Sequence, residues 1–185
     1  ITCTFNSENT INDCCNSILL QTHKNIEHII VDNNSQDKTI NFVKRSKIQN
    51  QRIIYQKSNG LYAALNEGLK ASNGNIIGVL HSDDTFNNEN VIKKISDIFK
   101  NNEVDAVFSN LFYTRKNNQN SIIRKWNSNL NEGIQSRENI ISKIKNGWML
   151  PHTTLFIKKS VIRQIGIYNE NYKISSDYDF ILRLL

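Results

Sequence analysis

Short apolar runs alternate along this chain with longer segments in which apolar residues recur at helical spacing. The clearest helical pattern lies between 89 and 100, where Val91, Ile95 and Ile98 share a face that should pack on a sheet. Such alternation is typical of βαβ units around a largely parallel sheet and predicts an α/β fold. The predicted strands are Ile1 to Phe5, His28 to Val31, Arg52 to Tyr55, Ile76 to Leu80 and Ala106 to Ser109, and the predicted helices are Thr10 to Gln21, Lys38 to Ser46, Leu61 to Ala71 and Glu89 to Lys100.

The pattern changes after Ser109, where parallel winding is expected to stop. Two apolar segments separated by a polar turn at Lys116 to Asn120 predict a hairpin or a mixed-sheet excursion. With a single proline and no repeat or linker, 185 residues suit one domain, which at this size buries roughly 70% of its unfolded surface. The remaining predicted elements are strands Leu111 to Thr114, Ser121 to Trp126 and Thr153 to Ile157, helices Ser136 to Lys145 and Lys159 to Ile165, and a last helix from Ser176.

The chain begins at Ile1 without a methionine and stops inside a predicted helix at Leu185, so we expect a segment trimmed at both ends. Its apolar runs are far shorter than the roughly 20 residues that cross a membrane, and no cleavable signal is visible. The neighbours Cys14 and Cys15 lack the spacing of a disulfide framework or a zinc site and match a buried helix stripe. We therefore expect a reducing, cytoplasmic location.

The net charge of +6 is compatible with nucleic acid, an anionic membrane surface or a phosphorylated substrate. The basic residues fall in short pairs over several predicted helices and form no stripe interleaved with stacking aromatic residues. This distribution argues against a nucleic-acid partner. The pairs are Lys44 with Arg45, Lys93 with Lys94, and Lys158 with Lys159.

The apolar run that ends at Leu80 is followed at once by His81, Ser82, Asp83 and Asp84. Two adjacent carboxylates raise each other's pKa unless a cation, a basic side chain or strong hydration compensates. Oxygen ligands favour Mg²⁺ or Mn²⁺ over zinc. The alternative is that one aspartate caps the following helix.

Polar side chains follow four consecutive predicted strands. In open parallel sheets, ligands bind beyond the carboxyl ends of the strands, so these side chains should share one rim. Each group alone is typical of an ordinary turn, but together they favour a binding site. The groups are Thr4 to Ser7, Asp32 to Asp37, Lys57 to Gly60 and His81 to Asp84.

These motifs, in their order and spacing, resemble those of the inverting glycosyltransferases of family 2, which have the GT-A nucleotide-sugar-binding fold. The resemblance covers essentially the whole chain. It implies a Rossmann-like central sheet with a mixed-sheet C-terminal part, a nucleotide-sugar-binding half at 1–110 and an acceptor and catalytic-base half at 111–185. The matching segments are Thr4 to Asn6, Val31 to Asp37, Gly60 to Gly68, Ser82 to Asp84, Pro151 to Phe156 and Ser176 to Arg183.

By this resemblance, Thr4, Asn6 and Asp32 would hold the nucleotide base and ribose. A carboxylate at a strand end can accept hydrogen bonds from a base N–H or a ribose hydroxyl, which agrees with the assignment. The alternative for Asp32 is a turn that closes on Ser35.

Gly60 would let a diphosphate approach the N-terminus of the helix that starts at Leu61, and Lys57 could add a positive charge. No phosphate-binding GxxxxGK[ST] or GxGxxG motif occurs in the chain. Asn66 and Gly68, further along this helix, are as well explained by packing as by ligand contact.

Asp84 matches the family position of a direct metal ligand, and Asp83 that of a ribose or outer contact. The resemblance thus implies a divalent metal, Mg²⁺ or Mn²⁺, which would stabilise the charge on a departing diphosphate. Many relatives have an acidic residue where this chain has His81, which leaves the ligation of the metal open.

Asp177 matches the position from which relatives supply the catalytic base, with Asp179 as the fallback. The alternative is that Asp177 caps the last helix. His152 resembles a position facing the sugar or diphosphate, but it could also be a hydrogen-bonded core residue. Trp148 would line the acceptor pocket or fill the core.

The function implied is a metal-assisted transfer, with inversion, of one sugar from a nucleoside diphosphate sugar to a saccharide or lipid-linked acceptor. The resemblance suggests bacterial surface polysaccharide synthesis, with peripheral membrane contact as a further candidate. The alternatives are a noncatalytic nucleotide- or carbohydrate-binding module and a sugar nucleotidyltransferase. The latter normally needs a basic glycine-rich loop, which Asn6 to Asn9 does not provide.

Overall fold

The computed structural model describes residues 1–115, 118–128, 130 and 133–185. Three parallel strands in the order β1-β2-β3 form the first sheet, and Thr4 of β1 pairs with Asp32 of β2. The prediction of parallel βαβ units is confirmed for these three strands. The elements are β1 (Thr2–Thr4), α1 (Ile11–Leu19), β2 (His28–Asp32), α2 (Thr39–Arg45), β3 (Gln51–Tyr55) and α3 (Leu61–Ala71).

The second sheet is antiparallel and has the order β4-β8-β5. We predicted that the parallel sheet continues through the fourth and fifth strands. This is incomplete, because β8, from the C-terminal part of the chain, lies between them and pairs antiparallel with both. Gly78 of β4 allows this pairing, since a Cβ atom there would lie 2.3 Å from the Phe156 ring. These strands are β4 (Ile76–Gly78), β5 (Ala106–Val107) and β8 (Phe156–Lys158), and α4 (Val91–Asn101) follows β4.

The two sheets meet at Ile1. Its amino group donates to the Gly78 carbonyl (2.9 Å), and the Leu80 N–H donates to the Ile1 carbonyl (3.0 Å). Helix α3 packs closely here, because a Cβ on Gly68 would lie 2.5 Å from Ile1 Cγ2. The packing interpretation of Gly68 is thus confirmed.

The predicted strand at Thr153 to Ile157 is displaced. Residues His152–Thr154 form a short 3₁₀ helix, and β8 begins only at Phe156. The Pro151 carbonyl accepts both the N–H and the hydroxyl of Thr154, which closes this turn.

The predicted hairpin is confirmed as a separate two-stranded antiparallel sheet, made of β6 (Leu111–Arg115) and β7 (Asn118–Trp126). Strand β7 begins inside the predicted polar turn, and positions 116 and 117 of that turn lie outside the described residues. Across the described ranges, no helix is long and apolar enough to span a membrane.

Cys14 and Cys15 lie on the buried face of α1, as predicted, beside Ile11 and Ile18. Burial raises the pKa of the Cys14 thiol to about 12 and that of Cys15 to about 11. Both thiols are therefore packing residues rather than nucleophiles.

Asn66 connects α3 to the segment that enters the last helix. Its amide donates to the Tyr168 carbonyl (2.9 Å) and accepts from the Tyr168 N–H (2.9 Å), and the side chain is fully buried. This confirms a packing role for Asn66, which joins α3 to the segment that precedes the last helix. The remaining helices are α5 (Arg137–Lys145), α6 (Lys159–Ile165) and α7 (Ser176–Leu184).

Candidate functional site

The polar ends of β1, β2 and β4 lie at one rim. The Asn33 N–H donates to the Thr4 carbonyl (2.9 Å), and the hydroxyls of Ser7 and Ser82 are 3.0 Å apart. Residues from three separate loops therefore approach one another where the parallel-sheet rule expects a ligand.

Asn6 connects the loops that follow β1 and β2. Its N–H donates to Ser35 Oγ (2.9 Å), and its side-chain oxygen accepts from the Gln36 N–H (2.9 Å). Its backbone has a positive φ of 48°, which asparagine tolerates better than most residues. Asn6 thus shapes the rim, and its contact with a nucleotide stays a prediction.

Asp32 is fully buried, and both of its carboxylate oxygens are bound by Ser35. One accepts the Ser35 N–H (2.9 Å) and the other the Ser35 hydroxyl (2.5 Å). The turn that we gave as the alternative for Asp32 is therefore present. A carboxylate has about four acceptor sites, so the turn does not use all of them, and the nucleotide contact of this buried side chain stays a prediction.

Thr4 is 5% exposed, and its hydroxyl has no hydrogen-bond partner among the described residues. A buried hydroxyl without a partner is unfavourable by about 1–3 kcal/mol. Because the hydroxyl is buried within the protein, its contact with a nucleotide stays a prediction.

Gly60 has a φ of 105°, which strongly favours glycine, whereas a Cβ there would meet no atom within 4 Å. Conformation rather than space therefore explains this glycine at the start of α3. The preceding loop is held by Glu67, whose carboxylate accepts the N–H groups of Lys57 (3.0 Å) and Ser58 (3.3 Å). The Lys57 residue itself is exposed.

A line of side chains joins the end of β4 to α7. The Nε2 atoms of His81 and His152 are 3.2 Å apart, and His152 Nδ1 lies 3.2 Å from Asp177 Oδ2. The Tyr62 hydroxyl donates to the other oxygen, Asp177 Oδ1 (3.0 Å). Asp84 adjoins the line because its N–H donates to the His81 carbonyl (3.0 Å). The acidic motif, Asp83 and Asp84, and Asp177 thus lie at the same site.

The His152 ring is held mainly in its neutral form. Burial lowers its pKa, the Asp177 carboxylate opposes that effect, and His81 lowers the pKa further. With its hydrogen on Nδ1, toward Asp177, the neutral ring presents a bare Nε2 that can accept a hydrogen bond from His81. We assign these tautomers from the contacts.

Asp84 is half-buried, and no hydrogen bond or ion pair from the described residues reaches its carboxylate. Burial raises its pKa, His81 lowers it, and the exposed neighbour Asp83 raises it. The capping alternative is wrong for both aspartates, because α4 begins at Val91 with Asn90 before it.

Within the part of the chain that the structure describes, no three His, Cys, Asp or Glu side chains gather around a point that could hold a metal. Mg²⁺ sites differ from such clusters, since they often use one or two carboxylates together with substrate phosphates and water. The unpartnered carboxylate of Asp84 fits that kind of site.

Asp179 is engaged elsewhere. One of its oxygens lies 3.0 Å from Nε and 2.8 Å from Nη2 of Arg183, one helical turn further on. Among the described residues, Asp177 has no such ion pair with an arginine or lysine, and its side chain faces Tyr62 and His152. The cap alternative for Asp177 is wrong, because Ser175 occupies the N-cap position of α7.

A model of Glycosyl transferase family 2 matches residues 1–166. The chain belongs to glycosyltransferase family 2. One similar protein is glycosyltransferase GlyA of Streptococcus pneumoniae serotype 4, which is 38% identical over 96 residues. The match covers 49% of this chain and 14% of that protein. An uncharacterized glycosyltransferase of Rickettsia typhi is 26% identical over 191 residues, covering 98% of this chain and 56% of the relative.

An Escherichia coli relative is named UDP-Glc:alpha-D-GlcNAc-diphosphoundecaprenol beta-1,3-glucosyltransferase WfaP. It is 39% identical over 107 residues, which cover 56% of this chain and 40% of that protein. This family 2 chain therefore matches between 14% and 56% of the length of these three relatives.

Solved structures of glycosyltransferases share the fold. Staphylococcus aureus TarS 1-349 in complex with UDP superposes with a TM-score of 0.79 at 21% identity, over 100% of this chain and 53% of that one. The mannosyltransferase PcManGT of Pyrobaculum calidifontis, in complex with GDP-Man and Mn²⁺, superposes with a TM-score of 0.70 at 14% identity. The match covers 99% of this chain and 50% of that one. The fold is GT-A, as the resemblance implied.

Sequence reasoning assigned no role to Tyr62 of this family 2 chain. Its ring stacks on Tyr168 (5.8 Å between centroids), which directs the hydroxyl to Asp177. In the sequence, only its position within the Gly60 to Gly68 motif pointed to this tyrosine. That position does not indicate a hydrogen-bond partner 115 residues away.

Trp148 lies in an aromatic cluster, with ring centroids 6.0 Å from Phe108 and 5.8 Å from Trp126. This supports the packing interpretation. Its Nε1 atom is buried and has no partner among the described residues, so the acceptor-pocket role stays a prediction.

A cavity of about 400 Å³ lies at the other end of β4, away from this rim. Its lining includes Asn75, Lys159 and Arg163. Since none of the motif residues line it, we do not assign the donor site to this cavity.

Proposed function

We propose that this family 2 domain transfers one sugar, of the hexosyl type, from a nucleoside diphosphate donor to an acceptor hydroxyl with inversion. The observation that carries the proposal is the placement of Asp177. Both of its carboxylate oxygens are contacted, by Tyr62 and His152, and the contacts continue through His81 to the acidic motif.

Asp177 would act as the general base. A hydroxyl is a poor nucleophile until a positioned carboxylate takes its proton. As the acceptor oxygen bonds to the anomeric carbon, the bond from that carbon to the diphosphate breaks, and the acceptor proton passes to Asp177. Attack from the face opposite the leaving group inverts the configuration.

The donor would bind at the rim of the parallel sheet, in the half at 1–110. Thr4, Asn6, Asp32 and Asp83 would contact the nucleoside, and the open N-terminus of α3 at Gly60, with Lys57 nearby, would receive the diphosphate. The nucleotides named for the solved neighbours, UDP and GDP-Man, support a nucleoside diphosphate sugar but do not specify the base.

Asp84 would hold a divalent metal, Mg²⁺ or Mn²⁺, with donor phosphates and water as the other ligands. When bound, the metal would stabilise the negative charge that develops on the diphosphate. The Mn²⁺ in the complex of PcManGT supports this assignment.

The acceptor would bind in the half at 111–185, where Trp148 is one candidate wall. The lipid-linked acceptor in the name of the E. coli relative supports a saccharide or lipid-linked acceptor and a role in surface polysaccharide synthesis. We place the reaction in the cytoplasm, at the inner face of the membrane.

The test compares Asp177→Asn with Asp179→Asn, a matched change on the same helix. Donor binding is measured by calorimetry with UDP- and GDP-sugars plus Mn²⁺, and turnover by transfer or donor hydrolysis. We expect Asp177→Asn to retain donor binding but to lose turnover by about 10²-fold or more. Asp179→Asn should keep turnover and lose some stability with its ion pair.

Turnover near the parental rate in Asp177→Asn would show that another group is the base. A parental protein that binds a sugar nucleotide without transfer or hydrolysis would support the noncatalytic module instead. Formation of a sugar nucleotide from a nucleoside triphosphate would support the nucleotidyltransferase.

A further inference from the structure

Strands β6 and β7, which together we call the β6–β7 hairpin, expose four large apolar side chains among their described residues. The hairpin forms a sheet of its own, and a two-stranded hairpin is marginally stable at best in water. Phe112 is 42% exposed, Tyr113 48%, Ile122 47% and Ile123 65%. Exposed apolar side chains concentrated on one short element in this way indicate an interaction surface.

The same hairpin is strongly basic. Its described strands carry Arg115, Arg124 and Lys125, and the sequence from 111 to 126 contains no Asp or Glu. Arg115, Arg124 and Lys125 are all exposed, and the described residues provide no ion-pair partner for any of them. Their charge is therefore available to an external anion.

Two cations of the hairpin lie over its aromatic rings. The Arg124 guanidinium is 5.7 Å from the Tyr113 centroid, and the Lys125 ammonium is 5.6 Å from the Phe112 centroid. The two pairs occupy adjacent cross-strand positions, so they lie on opposite faces of the hairpin. Each face therefore carries both an aromatic ring and a positive charge.

We propose that this hairpin docks the domain on an anionic phospholipid bilayer. Aromatic and aliphatic side chains favour the boundary between headgroups and acyl chains, while Lys and Arg reach the phosphates. Anionic lipid attracts a nearby basic residue by about 1 kcal/mol, a factor of roughly five in affinity per residue. The hairpin offers both kinds of contact and no acidic group to oppose them.

The same surface fits other occupants less well. A nucleic acid needs free aromatic faces for stacking, whereas each ring already has one face covered by a cation, and Ile122 and Ile123 have no stacking face. A second copy of the chain would bring two uncompensated basic hairpins together, which costs electrostatic energy.

The experiment is co-sedimentation with vesicles of phosphatidylcholine alone or mixed with phosphatidylglycerol. We expect binding to the anionic vesicles, weakened by roughly tenfold or more in the double variant Arg124→Glu/Lys125→Glu. The matched control is Lys44→Glu/Arg45→Glu, an exposed basic pair on α2 with the same change in charge. It should retain most of the binding.

A second variant, Ile122→Ser/Ile123→Ser, tests the apolar contribution. It should remove the part of the binding that persists at high salt, because salt screens the charged contacts and leaves the apolar ones. Unchanged circular dichroism in each variant verifies the fold.

The proposal fails if the parental chain does not bind anionic vesicles, or if the α2 control loses as much binding as the hairpin variant. It fails equally if the hairpin variants abolish self-association or oligonucleotide binding and leave vesicle binding intact. These measurements are independent of sugar transfer, so they stand whether or not Asp177 is the base.

Discussion

The two sides of the candidate site are built in different ways. On the side of β1–β3, short-range contacts, as when Asp32 binds Ser35 and Asp37 accepts the Thr39 N–H (2.9 Å), are combined with contacts between neighbouring loops, such as Asn6 with Ser35, 29 positions apart. On the side of β4 and α7, the contacts join residues far apart in the chain. Tyr62 and Asp177 are separated by 115 positions, and His81 and His152 by 71.

The side of β1–β3 thus forms a pre-organised frame, whereas the groups proposed to react lie on the side of β4 and α7. The local turns hold their carboxylates in place before any ligand arrives, because backbone and hydroxyl donors already satisfy them. The carboxylate of Asp84 and the buried Ser176 hydroxyl have no hydrogen-bond partner among the described residues, and the same holds for the Thr4 hydroxyl on the first side. We therefore expect changes at the bound carboxylates of the first side to affect stability together with donor binding, and changes on the second side to affect metal binding and turnover.

The largest effect should come from Asp84→Asn. We expect Mn²⁺-dependent affinity for a nucleoside diphosphate to fall by roughly hundredfold or more, because a neutral amide is a poor ligand for a hard cation. Calorimetry with and without Mn²⁺ measures this loss. The melting temperature should not fall, since the carboxylate is half-buried and unpaired; a clear decrease would indicate a structural role instead.

Asn66→Ala should disrupt the connection between the two sides. It leaves the Tyr168 N–H and carbonyl without this partner in a buried position, and the free energy of unfolding should fall by about 2–3 kcal/mol. Urea denaturation measures the change, with the exposed helical residue Asn41 changed to Ala as the control. Equal losses of stability in both variants would contradict a special role for the contact between Asn66 and Tyr168.

Acid should destabilise the β1–β3 side through His28. This histidine is buried and contacts Thr2 (3.0 Å) and Gln51 (3.1 Å), and burial lowers its pKa to about 3. The unfolded chain, with a pKa of about 6.5, binds the proton more readily. Stability should therefore fall as the pH drops from about 6.5 toward 3.

The slope is at most about 1.4 kcal/mol per pH unit for one proton, or roughly 2 kcal/mol between pH 6.5 and 5. Unfolding titrations at several pH values should show a flatter profile in His28→Gln, while His23→Gln should keep the parental slope. An unchanged slope in His28→Gln would assign the acid sensitivity to other groups.

The smallest effect should come from Tyr62→Phe. Losing one hydrogen bond to the Asp177 carboxylate is worth about 1.5 kcal/mol, so kcat should fall roughly tenfold while KM for the donor stays nearly constant. The exposed tyrosine Tyr55 changed to Phe is the matched control. A rise in KM with unchanged kcat would place Tyr62 in donor binding rather than in positioning the base.

Much of the fold could be predicted from local patterns. The bounds of α3 and α6 and the start of α7 agree with the predicted ones, and the buried stripe of α1 includes Cys14 and Cys15 as expected. The common rim could also be predicted, because parallel strands bring their carboxyl ends to one edge. These features follow from periodicity and chain direction, which are properties of short segments.

The sequence by itself determined the α/β class, the polar rim and the residues on it. Only the tertiary structure decided that β8 enters between β4 and β5, that Ser35 binds both oxygens of Asp32, and that Tyr62 and His152 meet Asp177. Those outcomes depend on long-range pairing and on which hydrogen-bond partner is within reach, and no local pattern encodes the distance between residues that are far apart in the chain.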